Sequence, residues 1–329
     1  MKQRFTALAA AGAASALVLA GCASTPAEEP SNPAEPKSYR IGITQIVQHD
    51  SLDAAREAFK RAFADKGIDV TWDEQNANGE SSTANSIAEK FASDKVDLVL
   101  AIATPTAQAA ANVIRDIPIV FTAVTEPQAA GLVKSWDAPG GNVTGTSDMN
   151  PVAEQIALIK KVAPEAKSFG VIYSSGEVNS EVQVELARAA AQAEGLTIVE
   201  KTIENSNAVG EAVQALGDVD AIYVPTDNNV VSALPTVIAH GERNSIPVIV
   251  GETDSVKNGG IATYGLDYDA LGYQAGQMAI RILVEGANPA SMPVETLAEA
   301  QLWLNKAAAA RFGVTFSDAL VAEADEVIE

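Results

Sequence analysis

Short apolar runs alternate with amphipathic stretches along this chain. In the segment 167–195, the apolar run Phe169–Tyr173 is followed by the polar stretch Ser174–Ser180 and the amphipathic stretch Glu181–Ala193, which Gly195 closes. A continuous apolar run with β-branched residues is typical of a parallel strand that is covered on both faces. The pattern therefore predicts a strand, a loop and a helix in that order.

The chain repeats this plan. Tyr39–Gly67 again predicts a strand, a polar loop, a helix and a glycine stop. Two later pairs of segments also match each other, namely Val96–Ala107 with Val219–Val230, and Ile117–Pro127 with Ile246–Val256. Two βαβαβ halves of like order predict an α/β protein with two doubly wound parallel-sheet domains. Because ligands bind beyond the carboxyl ends of such strands, we expect the binding site in the cleft between the domains.

A multi-strand hinge is predicted to join the two domains. Gly140–Asp148 and Ile261–Leu266 are the expected hinge strands. The first is rich in glycine, but it lacks the GK[ST] ending of a phosphate-binding loop. The predicted N-terminal lobe comprises residues 38–146 and 267–288, and the predicted C-terminal lobe comprises residues 147–266 and 289–329.

Three further predictions concern the second half of the chain. Asn229–His240 is expected to form one helix, in which His240 has a structural role. Glu299–Leu304 is expected to be the last strand. The acidic tail Glu323–Glu329 is expected to be a solvated end.

The N-terminus has the pattern of an export signal. Met1–Gly21 carries Lys2 and Arg4, then an Ala/Leu/Val run and small residues. Its end, Leu19-Ala20-Gly21-Cys22, resembles the lipobox of bacterial lipoproteins, which implies acylation of Cys22 and anchoring on the extracytoplasmic face of the cell membrane. The alternative is an ordinary secretory cleavage site. Residues 23–37 are rich in Pro, Glu and Ser and predict a disordered tether.

Composition excludes some classes of function. The 329 residues carry a formal net charge of −21, and such acidity disfavours binding to nucleic acid. The chain has one cysteine, which rules out an internal disulfide and a Cys-rich metal site. No motif for a nucleotide, a metal or a redox group is present, so we expect no cofactor and no metal.

Polar residues follow several predicted strands and are candidates for ligand contact. Asn179 and Ser180 are candidates to cap the N-terminus of the predicted helix Glu181–Ala193, and such an N-terminus favours a carboxylate. Asp227 follows a buried strand, where a carboxylate needs a partner, and a ligand ammonium would serve. The alternative is that Asp227 caps the next helix. His49 is either a cleft residue that could hydrogen-bond a ligand, or a polar loop residue or helix cap. Glu252 also lies at a strand end.

The order and spacing of several motifs identify a family. The motifs are IGITQIVQHDSLDAAREAF, ATPTAQA, FTAVTEPQAAGLV, GGNVTGTSD, GVIYSSGEVNS, YVPTDNNVVSA, PVIVGE and ATYGLDYDALGYQAGQMA. From Tyr39 to Phe312 the chain resembles the ABC-transporter substrate-binding lipoproteins of the type I periplasmic-binding-protein superfamily, in the subgroup that binds tyrosine or tryptophan. It departs from the family pattern at Asp50, where Pro is common, and at Glu126, where Asp is common.

The resemblance implies roles for individual residues. Ser174, Asn179 and Ser180 would hold the ligand carboxylate, and Asp227 would take the ammonium. The resemblance also implies that the cleft is lined by Gln45, Thr104, Thr122 and Asp267. The positions of His49 and Glu252 at strand ends add these two residues to the expected lining. Candidates to flank an aromatic side chain are Phe121, Tyr173, Tyr223 and Tyr264, although such residues more often fill the core.

The expected function is that of a receptor without catalytic activity. It would bind an aromatic amino acid and deliver the ligand to an ABC permease and, through the permease, to its ATPase. The alternatives are a receptor for a sugar or a nucleoside and a sensor that reports ligand to a membrane protein. An enzyme is less well supported, because neither HExxH nor GxSxG occurs in the chain.

Overall fold

The structure is a computed structural model of the protein, and it describes residues 38–329. The predicted export signal, Cys22 and the predicted tether lie outside these residues. The strands are β1 (Tyr39–Gln45), β2 (Val70–Asn76), β3 (Leu98–Ile102), β4 (Ile119–Thr122), β5 (Val143–Ser147), β6 (Ser168–Ser174), β7 (Thr197–Ile203), β8 (Ile222–Val224), β9 (Val248–Val250), β10 (Ala262–Gly265), β11 (Glu295–Thr296), β12 (Gln301–Asn305) and β13 (Glu326–Ile328).

The helices lie between these strands. They are α1 (Asp50–Asp65), α2 (Ser81–Asp94), α3 (Thr104–Val113), α4 (Val152–Val162), α5 (Val178–Glu194), α6 (Val209–Gln214), α7 (Asn228–Ser232), α8 (Leu234–Asn244), α9 (Thr253–Lys257), α10 (Tyr268–Leu283), α11 (Lys306–Arg311) and α12 (Asp318–Glu323). Within residues 38–329, no helix combines the length and the apolar character needed to cross a bilayer.

Two sheets organise the fold, and each carries its own hydrophobic core. The first lobe contains a six-stranded sheet in the order β11-β5-β4-β3-β1-β2, and the second lobe a seven-stranded sheet in the order β13-β12-β10-β9-β8-β6-β7. The strand pairs are parallel except for β10 with β12. The predicted fold class, two doubly wound α/β domains, is confirmed.

The chain passes between the sheets three times. It leaves the first sheet after β5, returns after β10 to form α10, and leaves again after β11. The predicted lobe boundary at residue 289 differs from the structure, because Glu295 and Thr296 pair with Thr146 and Ser147 at the edge of the first sheet. The third crossing therefore lies after residue 296.

Close packing of α1 against α10 ties the returning segment to the first lobe. A Cβ added at Gly272 would lie 2.1 Å from the carbonyl oxygen of Ala55, and one added at Gly276 would lie 2.6 Å from the Cβ of Ala62. Only glycine permits such an approach of the two backbones. The first residue of α10, Tyr268, is thereby held at the junction of the lobes.

Two predictions for the second lobe are wrong in detail. The predicted helix Asn229–His240 is broken at Ala233, and α8 begins with Pro235 in its first turn, where the missing N–H costs nothing. The predicted solvated tail forms β13, which pairs with β12 through Glu326 and Trp303. Hydrophilic composition alone did not reveal this edge strand.

Candidate functional site

A small, partly enclosed cavity lies between the two lobes, beyond the carboxyl ends of their strands. Its volume is about 10 Å³, which is room for one water-sized sphere. It is lined by His49, Leu52, Ala123, Asp148, Asn179, Thr226, Asn228, Val231, Glu252 and Tyr268. A larger open groove of about 290 Å³ adjoins it and shares His49, Val231 and Glu252 with it. The lobes are therefore closed on each other over the site that the strand order predicts.

Direct contacts between the lobes hold this closed arrangement. The side-chain amide of Asn258 donates to the carboxylate of Asp50 over 2.9 Å. Ser51 of the first lobe and Glu252 of the second lobe both line the open groove that adjoins the cavity. The first residues of α1 thus face the second lobe around the mouth of the cavity.

Asp227 is saturated by donors of its own lobe. Its carboxylate accepts from the Ser174 N–H at 2.5 Å, the Ser174 hydroxyl at 3.1 Å, the Ser180 hydroxyl at 2.7 Å and the Val230 N–H at 2.9 Å. Asp227 is 0% exposed and caps α7. These contacts do not support the predicted ligand roles of Asp227, Ser174 and Ser180. The side chains of the three residues hydrogen-bond one another, and none of the three lines the cavity.

Glu177 forms a second saturated carboxylate beside Asp227. Its Oε2 accepts from the amides of Asn179 and Asn228, at 2.9 and 2.6 Å, and its Oε1 accepts from Asn229. Burial, reinforced by the charge of Asp227, raises the pKa of Glu177. This carboxyl fixes the loops around the cavity and leaves little capacity for a ligand.

Asp148 and Glu252 differ from this pair because they line the cavity with free acceptor capacity. Asp148 accepts from the Thr125 hydroxyl at 2.9 Å and the Tyr268 hydroxyl at 2.5 Å. Glu252 accepts from the Ser255 hydroxyl at 2.8 Å through Oε1. Asp148 is 3% exposed and Glu252 is 1% exposed.

Neither carboxylate has a basic partner. None of the ion pairs formed within residues 38–329 includes Asp148 or Glu252. Burial is the main cause that raises the pKa of Glu252 to about 7, and the charges of Asp254 and Asp148 add to it. Burial also raises the pKa of Asp148. The cavity lining therefore contains two acidic groups that no basic side chain of the described residues pairs, and burial favours their neutral forms.

Two further polar groups face this cavity without a partner. Asn179 is 3% exposed, and its amide nitrogen donates to Glu177 and to the Thr226 carbonyl, which leaves Oδ1 unpaired. The Thr226 hydroxyl is also unpaired. Buried polar groups normally have partners, so these atoms are equipped for a ligand.

His49 lines the same cavity as the residue before α1. Its Nδ1 is buried and unpaired. Burial lowers the pKa of His49 to about 4, against the opposing charges of Asp53 and Asp50. The imidazole is consequently neutral at pH 7 and does not compensate the carboxylates.

The first-lobe wall contains two strained alanines. Ala103 and Ala123 follow β3 and β4 with φ angles of 78° and 56°, a region that non-glycine residues seldom adopt. Ala123 lines the cavity, and the Ala103 N–H donates to Thr122, so α3 begins beside the site. The buried hydroxyl of Thr104 at this helix start has no partner. Strained backbone of this kind is concentrated at functional sites.

Several residues predicted to line the cleft lie elsewhere. The Gln45 side chain donates to Asp53 and accepts from Arg56. Thr122 accepts from the Thr146 hydroxyl over 3.0 Å. Asp267 is exposed and caps α10. These residues and Thr104 do not line the cavity, whereas His49, Asn179 and Glu252 do, and their contact with a ligand remains a prediction.

None of the four predicted aromatic contacts lines the cavity. Phe121 and Tyr223 lie in the two cores, where the Tyr223 hydroxyl donates to Gln155 over 2.7 Å. The Tyr173 hydroxyl donates to Glu200. Tyr264 lies under the ammonium of Lys161. As apolar strand residues usually do, these side chains fill the cores or cover the outer faces of the sheets.

Sequence reasoning missed Asp148 and Tyr268, which lie at two of the chain crossings. Asp148 ends one predicted hinge strand and Tyr268 follows the other, so the rule that sites lie at strand ends could have found them. The departure at Glu126 lies outside the cavity lining, since its carboxylate accepts from the Trp136 indole N–H over 2.6 Å and from the Ala129 N–H. This residue fixes a surface loop of the first lobe.

Residues 40–328 match the family described as ABC transporter substrate binding protein. The chain belongs to this family. Its members are extracytoplasmic proteins that bind a substrate for an ABC transporter. The family assignment agrees with the two closed lobes and with the cavity between them.

Individual relatives add detail. The chain is 44% identical over 313 residues to a protein named tyrosine-binding protein from Clostridioides difficile, which covers 92% of this chain and 90% of the relative. A solved structure from Streptococcus pneumonia, in complex with L-Trp, is 36% identical with a TM-score of 0.85 and covers 89% of this chain and 100% of that one.

A second solved structure shows a different arrangement of the lobes. This ligand-free, open substrate-binding protein from Clostridium difficile is 43% identical and covers 88% of this chain and 99% of that one, yet its TM-score is only 0.65. The higher identity and lower TM-score together indicate that the lobes of this chain are arranged more as in the L-Trp complex than as in the open protein.

Proposed function

We propose that this protein is the receptor of an ABC importer for an amino acid with an aromatic side chain. The observation that carries the proposal is the small cavity between the lobes, whose buried carboxyl groups, Asp148 and Glu252, have no basic partner among residues 38–329. Burying an unpaired charge is expensive, so such a site favours a ligand that brings a cation. The ammonium of an amino acid meets this requirement.

The relatives support the choice of side chain. A protein that is 44% identical is named for tyrosine binding, and a structure that is 36% identical contains L-Trp. Tyr268 and the apolar side chains of Leu52 and Val231 give the cavity a partly apolar lining. We therefore propose tyrosine or tryptophan as the ligand, held without chemical change.

Ligand entry requires the lobes to move apart, since a cavity of about 10 Å³ is smaller than any amino acid. The three chain crossings provide the hinge, and the bond between Asn258 and Asp50 would form on closure. Because the ligand contacts both lobes, it would favour the closed state by its differential affinity.

Anchoring and delivery complete the proposal. The lipobox pattern that ends at Cys22 would place a lipid on the mature N-terminus, outside the residues that the structure describes. The closed receptor would then present the ligand to a membrane permease, whose ATPase drives import. Membership of the family supports this partner.

A ligand panel tests the proposal. We expect L-tryptophan or L-tyrosine to raise the melting temperature of the purified protein, because a ligand at a hundredfold excess over its Kd stabilises by about 2.7 kcal/mol. L-alanine, myo-inositol and uridine serve as controls for a small amino acid, a sugar and a nucleoside. Stabilisation by the sugar or the nucleoside, with none by the aromatic amino acids, would contradict the proposal.

A further inference from the structure

The four buried carboxyl groups around the cavity fall into two classes. Asp227 and Glu177 are saturated by donors of the second lobe. Asp148 and Glu252 line the cavity and keep unused acceptor capacity. An ammonium group must therefore be met by the second class.

We propose that Glu252 is the residue that selects ligands carrying a cationic amine, and that Asp148 and the Asn179 Oδ1 complete an ammonium subsite with it. This inference rests on the proposed function and deepens it. It replaces Asp227, which sequence reasoning favoured for the same role, because the Asp227 oxygens already accept four hydrogen bonds.

The unpaired Asn179 Oδ1 is an independent indication of a donor-rich ligand. The Asn179 amide nitrogen donates to Glu177, the Ser180 hydroxyl oxygen and the Thr226 carbonyl, which fixes the orientation of the amide. The amide oxygen is therefore left without a partner, and Asn179 lines the cavity. An ammonium has three donors, which match Glu252, Asp148 and this oxygen in number.

The surroundings of Glu252 contain no competing cation. The ionisable groups that act on it are Asp148 and Asp254, which are both acidic, while the lining also includes His49 and Tyr268. Burial keeps His49 neutral near pH 7. The Lys257 ammonium forms an ion pair with the Asp254 carboxylate at 2.7 Å. No group of three or more metal-binding side chains in residues 38–329 is arranged to hold a metal ion.

Glu252 also joins ligand recognition to closure. It precedes α9 in the second lobe, and it lines the open groove beside the cavity together with Ser51 of the first lobe. A cation at Glu252 removes the charge penalty that opposes bringing the lobes together over this carboxylate. Glu252 thus both binds the ammonium of the ligand and favours the closed state.

The test compares two ligands and three proteins by calorimetry. L-tryptophan carries an ammonium, and indole-3-propionate has the same ring and carboxylate without it. We expect E252Q to bind L-tryptophan about 10- to 150-fold more weakly, since a charge-assisted hydrogen bond is lost. We expect E252Q to bind indole-3-propionate at least as well as the wild type does, because a like charge is removed.

D254N is the matched control. It removes a negative charge that acts on Glu252 from outside the cavity lining, and we expect its affinity for L-tryptophan to stay within about threefold of wild type. An E252Q affinity for L-tryptophan within threefold of wild type, or an equal loss for both ligands, would overturn the inference. A wild type that binds no aromatic amino acid would instead contradict the proposed function.

The pH dependence of affinity gives a second readout. An ammonium requires the ionised form of Glu252, whose pKa in the closed protein is raised to about 7. The affinity of the wild type for L-tryptophan should therefore rise from pH 5.5 to pH 7.5, with release of protons on binding. E252Q should show a smaller change over this interval, and equal slopes in the two proteins would contradict the role of Glu252.

Discussion

At the scale of single residues, the important distinction is between carboxylates that hold the structure and carboxylates that remain available. Asp227 and Glu252 both follow strands of the second sheet and are both fully buried. The sequence identified both positions correctly as strand ends. It could not distinguish their roles, because the donors that saturate Asp227 come from Ser174, Ser180 and Val230, which only folding brings together.

The two roles predict different consequences of substitution. We expect D227A to lower the free energy of unfolding by about 2 to 5 kcal/mol, because it leaves buried donors without an acceptor. D267A is the control, since Asp267 is an exposed helix cap whose loss costs about 0.5 to 2 kcal/mol. Urea denaturation measures both values. If D227A keeps the stability of the wild type but loses amino-acid binding, the structural role of Asp227 is contradicted and Asp227 is the ammonium ligand instead.

At the scale of helices and strands, the repeated apolar pattern predicted most of the fold. The strand and helix of the opening segment, β6 and α5, lie where the pattern placed them within a few residues. The pattern failed where packing or a single residue decided the outcome. Pro235 divides the predicted helix into α7 and α8, and the acidic tail forms β13 because β12 offers it an open edge.

The contact between α1 and α10 is an element-scale feature with a measurable cost. We expect G272A to destabilise the protein by about 1 to 3 kcal/mol or more, because the new methyl would collide with the backbone of Ala55. G141A is the matched control, since a Cβ at Gly141 meets no atom within 4 Å. Thermal unfolding compares the two, and equal melting temperatures would contradict the close packing of these helices.

At the scale of the whole molecule, the proposed function depends on closing two lobes over a cavity that Asp148 and Glu252 line. The duplicated plan predicted the two lobes and the cleft between them. It did not predict the third crossing after residue 296, because the two-residue strand β11 carries too little pattern to be recognised. The hinge also supplies Asp148 and Tyr268 to the site, so the segments that join the lobes form part of the cavity wall as well.

Determining a crystal structure of this protein in complex with L-tryptophan would test the proposed binding site most directly. We predict that the ligand lies between the lobes, contacts both, and places its ammonium nitrogen within hydrogen-bonding distance of Glu252, while Asp227 keeps its bonds to Ser174 and Ser180. A ligand bound to one lobe alone, or an ammonium that contacts Asp227 in place of Glu252, would contradict it.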